Sequence, residues 1–232
     1  MADLIERFGR VLVFGAHPDD EIIGCGGTIA RLAEGQSEVY VVTFTGGGTS
    51  GAGLAEEKQM DQRRESEAAL ADAILGVSER LFLGIPTQSV VHDRDTHQAA
   101  MRAIRKFRPE LILTHFRDKH KDHNAAYQIV PSAAWHASEE ILVEECGPPH
   151  FTPQVWFYEC VTGFNRYSYA VDITTTFDKK VEAMRTQLSQ TRSDFLANLV
   201  QLIQGRAMAR GADVGVKYAE AFLKCDLHPT PL

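Results

Sequence analysis

The chain has 232 residues, 44% of them apolar, and a formal net charge of −7. That length and apolar content suit a single domain with a full core, and the acidic balance argues against a nucleic-acid partner, which calls for a basic surface. No apolar run approaches the roughly 20 residues of a membrane span. Residues 1–10 lack the apolar centre of a signal peptide. The four cysteines, Cys25, Cys146, Cys160 and Cys225, form no Cys-x-x-Cys pair, which argues against a thiolate zinc site or a disulfide framework and predicts reduced thiols in a cytoplasmic protein.

In chain order, residues 11–14 read as a buried strand and residues from about 26 to 34 as a helix. A Val- and Tyr-rich strand is predicted over 38–45, and residues 46–53 form a glycine-rich loop that is either a rim closing over a site or a plain connection. A long helix follows over 54–75 with Gly76 as its stop, then a short strand over 80–85 and a helix over 96–107 ahead of Pro109. Residues 111–115 form the next strand and residues from about 123 to 139 the next helix. The runs 11–14 and 111–113 lack polar alternation, as parallel strands buried on both faces do. The expected fold is α/β, a Rossmann-like three-layer sandwich with a mostly parallel central sheet. After Gly147-Pro148-Pro149 the pattern changes to two extra strands over 154–159 and 169–173 and an interrupted helical stretch over 178–203. One domain spans 1–232, with a core over about 8–145 and a smaller C-terminal extension over about 150–232.

Chemistry concentrates in two places. The run Ala16-His17-Pro18-Asp19-Asp20-Glu21 follows the first strand, and His120-Lys121-Asp122-His123 follows the fourth. Crowded carboxylates gain nothing from each other, and a bound cation removes their repulsion. A catalytic zinc takes three protein ligands and leaves a position open. His17 and Asp20, three apart, can face the same way, and the second cluster is the best source of a third ligand. The right-handed crossover rule brings strand-following loops to one edge of the sheet. The plain alternatives are solvated turns in which Asp19, Asp20 or Asp122 cap helices. Arg102, Arg105, Lys106 and Arg108 read as a solvated helix face. The aromatics Trp156, Phe157, Tyr158, Phe164, Tyr167 and Tyr169 read as core, with an acceptor platform or a contact between copies of the chain as the other options.

His-Pro-Asp-Asp-Glu followed about a hundred residues later by His-x-Asp-His resembles the LmbE/PIG-L family of zinc-dependent de-N-acetylases. Gly24-Cys25-Gly26-Gly27-Thr28 is similar to its glycine-rich helix start, Arg64-Glu65-Ser66-Glu67 to its Arg-x-x-Glu helix, and Gly215 to Phe222 to its closing segment. The resemblance implies zinc, with Fe2+ or another divalent ion as substitutes, held by His17, Asp20 and His123. It implies Asp19 as general base towards the water the metal activates, and His120 as an imidazolium that stabilises the oxyanion or protonates the departing nitrogen. Asp122 is expected to orient His120 and keep it protonated, Glu21 to support the ligands or cap backbone, and Arg64 to contact substrate or, on helical spacing alone, to pair with Glu57 or Glu67.

The reaction so implied is hydrolysis of an N-acetyl or N-acyl amide on an amino sugar or its conjugate. The alternatives are a metal-dependent phosphoesterase, which usually needs two metals and more carboxylates, and a non-catalytic metal-containing binding protein, which needs no base beside the ligands. Two positions depart from the family pattern. Thr87 follows Leu83-Gly84-Ile85-Pro86 where sugar-processing members often carry an Asp, with Asp93 as a candidate substitute, and Gln187 stands where a His is common. These changes bear on the sugar contacts and leave the metal chemistry untouched.

Overall fold

The computed structural model describes residues 4–49, 56–190 and 195–226. Among them, in chain order, are β1 (Arg10–Gly15), α1 (Asp20–Glu34), β2 (Glu38–Thr45), α2 (Glu57–Leu75), β3 (Glu79–Ile85), α3 (Arg94–Phe107), β4 (Leu111–His115), α4 (Lys121–Ala137), α5 (Val143–Cys146), β5 (Gln154–Tyr158), β6 (Tyr169–Asp172), α6 (Phe177–Arg185), α7 (Phe195–Val214) and β7 (Ala219–Lys224). One sheet holds all of these strands in the order β3-β2-β1-β4-β5-β7-β6. β1 to β5 pair in parallel, and β7 runs antiparallel between β5 and β6.

The period of two along each strand divides the core between two faces. Val11, Val13, Val39, Val41, Leu111 and Leu113 pack on one side against Ile22, Ile29 and Leu32 of α1, Leu75 of α2 and Met184 of α6. Leu12, Phe14, Val42, Phe44 and Ile112 pack on the other against Met101 and Ile104 of α3 and Ile129 and Val130 of α4. Val11 to Phe14 are wholly buried, each such side chain stabilising the fold by roughly 1.5–3 kcal/mol. The three-layer α/β sandwich is as the sequence predicts.

This order also places the site. The chain leaves β1 towards β2 and β3 on one side, and β4 lies on the other side of β1. Connections depart in opposite directions there, and a crevice opens beyond the carboxyl ends of β1 and β4. His17 follows the first of these ends and His120 the second.

Several boundaries differ from expectation. α1 begins at Asp20 and is broken at Cys25. Of the glycine loop, residues 46–48 are buried, and residues 50–53 lie outside the described residues, as do 54 and 55 of the predicted long helix. The helical stretch divides into α6, a 3-10 turn at Leu188–Gln190 and α7. β7 was not foreseen as a strand, although its first four residues fall in the stretch that resembles the family's closing segment. Trp156, Phe157, Tyr158 and Phe164 are core. The four cysteines are buried and none forms a disulfide. No helix among the described residues is long and apolar enough to cross a membrane.

Arg105 is not solvated. It is buried and its guanidinium donates five hydrogen bonds, to the carbonyls of His136, Ala137, Glu139, Ile141 and Gly147. It thereby closes the C-terminal end of α4, whose last carbonyls have no partner within the helix. Arg105→Met is expected to lower unfolding free energy by roughly 2–4 kcal/mol, measured by urea denaturation. An unchanged midpoint would remove Arg105 from this role.

Candidate metal centre and active site

The chain turns sharply after β1. Pro18 keeps His17 out of helical angles, the Asp19 N–H donates to His17 O at 2.9 Å, and the His17 N–H donates to Asp20 Oδ2 at 2.7 Å. The Asp20 side chain is thus fixed at the first turn of α1, with imidazoles around it. Its Oδ2 lies 3.3 Å from His17 Nδ1 and 3.0 Å from His115 Nε2. Its Oδ1 lies 3.2 Å from His123 Nε2 and accepts from Cys160 Sγ at 3.4 Å. His17 Nδ1 and His123 Nε2 face each other at 3.2 Å.

His17 Nδ1, His123 Nε2 and the Asp20 carboxylate therefore converge, all on buried residues. Ligands at about 2.0–2.1 Å around a tetrahedral cation sit about 3.3 Å apart, which is the spacing found. The donor set, two imidazoles and a carboxylate, is also one that zinc accepts, so the residues present fit a divalent cation. The His120 ring offers a further nitrogen at the same place. His115 and Cys160, which the sequence did not single out for the site, lie beside His123 as a second convergent group.

Two carboxylates orient the imidazoles from behind. Asp122 Oδ2 is 3.1 Å from His17 Nε2 and accepts the Gln88 N–H at 2.8 Å. Asp118 Oδ2 is 3.3 Å from His123 Nδ1 and accepts the N–H groups of Val161 and Thr162 at 2.8 and 3.2 Å. A carboxylate on the outer nitrogen fixes the tautomer and raises the basicity of the inner one. Asp118 was missed by sequence reasoning. Asp122 serves His17 and not His120, because α4 begins at Lys121 and turns the Asp122 side chain towards the end of β1.

His120 is the N-cap of α4, and its Nδ1 accepts the Asp122 N–H at 3.2 Å. Nδ1 is then unprotonated, and the ring proton sits on Nε2. Burial, then the charges on His17 and His123, lower the His120 pKa, against the expectation of an imidazolium kept by Asp122. Asp19 is buried beside His17 and Asp20. Its Oδ2 lies 3.0 Å from Arg64 Nη2. Arg64 is buried on α2 and also donates to Gly47 O at 3.4 Å, so its partner is Asp19 and neither Glu57 nor Glu67. Asp19, Arg64, Thr87, His120, Cys160 and Gln190 line, with His17 and Asp20, a cavity of about 330 Å³.

Glu21 points away from the ligands to Arg80 Nη2 at 2.7 Å. Burial pushes its pKa up to about 7 although Arg80 opposes this. Asp93 is exposed and caps α3 through the Thr96 N–H at 2.9 Å, with a capping box, so it does not replace the missing carboxylate near Thr87. Gln187 is buried, its Nε2 donating to Thr186 Oγ1 at 3.1 Å. Gln190 reaches the cavity instead.

Burial works to lower the His17 pKa, but the Asp20 charge and the contacts to Asp122 and Asp20 outweigh it and bring it up to about 9. Burial likewise opposes the rise of His123, and Asp20 and Asp118 bring it up to about 10. His115, without a carboxylate on its outer side, is pushed down to about 4 by burial and then by His123. In the metal-free chain the Asp20, Asp118 and Asp122 carboxylates favour the protonated forms of His17 and His123, and a cation must displace a proton held between their facing nitrogens. The protonated forms stabilise the metal-free fold fully below pH 6.5, and that contribution fades as pH rises through about 9 to 10. Zinc affinity is expected to move the other way, strengthening by about tenfold per pH unit for each proton displaced. Competition titrations at pH 6, 7 and 8 check this; affinity independent of pH would contradict it.

Comparison with known proteins agrees with the geometry. The model of the family described as PIG-L, GlcNAc-PI de-N-acetylase, matches residues 12–134, a span that contains His17, Asp19, Asp20, Arg64, His120 and His123. A 1D-myo-inositol 2-acetamido-2-deoxy-alpha-D-glucopyranoside deacetylase of Rhodococcus erythropolis is 34% identical over 182 residues, covering 66% of this chain and 61% of that one. The chain thus spans less than two thirds of that relative's length. A diacetylchitobiose deacetylase of Thermococcus kodakarensis is 28% identical over 222 residues, covering 91% of this chain and 81% of the relative. The solved structure of a 4-carboxy-2-hydroxymuconate hydratase from Pseudomonas putida superposes with a TM-score of 0.81 at 24% identity, covering 96% of this chain and 98% of that one, a likeness of fold. With the motif-bearing half of the chain matched from β1 through most of α4, this protein belongs to the PIG-L family.

Proposed function

We propose that the chain is a zinc-dependent de-N-acetylase that hydrolyses the N-acetyl amide of an N-acetylglucosamine-type conjugate, releasing acetate and a free amine. The observation that carries this is Asp19, a carboxylate held in the cavity beside the convergent donors and outside their set. A site that only binds metal has no use for such a group. Fold alone does not select the reaction, since a hydratase shares it. Both deacetylating relatives act on compounds that carry an acetylated amino sugar, as their names state.

His17, Asp20 and His123 would hold the cation. A cation of this kind polarises a carbonyl oxygen and makes water a better nucleophile at neutral pH. Asp19 takes a proton from the attacking water as the water oxygen bonds to the amide carbon. The Arg64 guanidinium holds the Asp19 carboxylate in that orientation. The His120 Nε2–H, fixed by the Asp122 amide on the other side of the ring, donates to the carbonyl oxygen as negative charge develops there. When the carbon–nitrogen bond breaks, the proton held by Asp19 passes to the departing nitrogen and the carboxyl proton of the new acid follows it, so acetate and an ammonium group leave with atoms and charge balanced. Thr87 and Gln190, at the cavity wall, are polar groups that would take the place of the missing family carboxylate.

The test is release of free amine from diacetylchitobiose, N-acetylglucosaminyl-inositol and simple N-acetylglucosaminides, with a phosphomonoester beside them. Zinc-restored amine release is expected. Phosphate release without amine release would replace the proposal by a phosphoesterase, and tight zinc binding with no turnover of any compound would leave a binding protein.

A further inference from the structure

α1 is built as two helices. The backbone leaves helical angles at Cys25 (φ −147°, ψ 21°) in the middle of a buried layer. A break of this kind leaves carbonyls unpaired on one side and N–H groups on the other, each costly to bury. One ion pair from the C-terminal extension satisfies both. Lys180 Nζ, from α6, donates to Ile23 O at 2.9 Å on the carbonyl side. Glu220, from β7, accepts the N–H of Gly27 at 3.0 Å and of Thr28 at 2.7 Å on the amide side. The two charges meet at 2.5 Å, with both side chains 3% exposed. The signs suit the helix ends they face, a cation at the end of the first piece and a carboxylate at the start of the second.

The surroundings of the break are closely packed. A Cβ on Gly24 would lie 2.2 Å from the Tyr158 ring, and one on Gly27 would lie 2.6 Å from Ile173. The Thr176 hydroxyl donates to Gly27 O at 2.8 Å. The short first piece carries Asp20 and follows directly on Asp19. Arg80 anchors it at Glu21, and Lys180 anchors its far end.

We propose that Lys180 and Glu220 are positioning residues of the metal centre: by holding the break in α1 at Cys25, they fix the turn that presents Asp19 and Asp20. The proposal rests on the metal reading above. A buried ion pair is commonly no more stabilising than apolar side chains of the same volume, so its expected effect is on the site more than on the fold.

The experiment compares wild type with Lys180→Met, Glu220→Gln, the double variant, and Met101→Ala, a core truncation in the opposite layer. Zinc affinity is measured by chelator competition, and amide hydrogen exchange of residues 20–24 in metal-free protein. The Lys180 and Glu220 variants are expected to bind zinc roughly 10–100-fold more weakly and to exchange faster at residues 20–24. Met101→Ala is expected to lose stability while keeping both properties. The double variant leaves no unpaired buried charge and carries the test if a single variant does not fold. Wild-type zinc affinity and wild-type protection at residues 20–24 in the Lys180 and Glu220 variants would overturn the proposal. If wild type itself binds no zinc, the metal reading falls, and the exchange measurement still decides whether the pair holds the turn.

Discussion

Asp19→Asn is expected to lower kcat by roughly 10²–10⁴-fold, the span associated with a general base, while zinc stays bound at wild-type stoichiometry. Asp19 sits in the cavity with its carboxylate 3.0 Å from Arg64. Asn keeps the shape and an oxygen for Arg64 but cannot take a proton. Asp19→Ala is expected to show the same fall in kcat with an added loss of stability, because the buried Arg64 guanidinium then lacks its counter-charge. The comparison separates chemistry from support. Turnover near wild type in the Asn variant would remove Asp19 from catalysis and favour a site that binds metal for another purpose.

His123→Ala is expected to weaken zinc binding by more than roughly 100-fold, beyond what the loss of a supporting residue costs, and turnover should fall with it. His123 Nε2 faces both Asp20 Oδ1 and His17 Nδ1 at 3.2 Å, so its removal opens one corner of the donor set. Asp118→Asn, which leaves His123 in place and removes the charge facing its outer nitrogen, should cost less than His123→Ala. Equilibrium dialysis against zinc reads both. Stoichiometric zinc retained by His123→Ala at micromolar metal would sink the ligand assignment.

Much of this was legible in the sequence because local and tertiary signals agree. The unbroken apolar runs in β1 and β4 announce parallel strands, and His17 and His120 follow them, so topology alone brings the two clusters to one crevice. What stayed hidden depends on partners distant in the chain. Arg105 reads as one of several surface cations until α4 and α5 present carbonyls to it. Asp118 gains its meaning from His123 and from amides beyond β5. Asp122 was placed in the site on spacing, but spacing does not say which imidazole a carboxylate faces. The glycines after Asp20 suggested a helix start because the ion pair that spans the break comes from Lys180 and Glu220, far along the chain.

Zinc titrated into metal-stripped protein, with acetate release from an N-acetylglucosaminide followed at each addition, bears on all of these points at once. Activity is expected to be absent without metal, to rise in proportion to added zinc and to level off at one equivalent. Undiminished activity after stripping, or a rise that needs two equivalents, would contradict a single cation held by His17, Asp20 and His123.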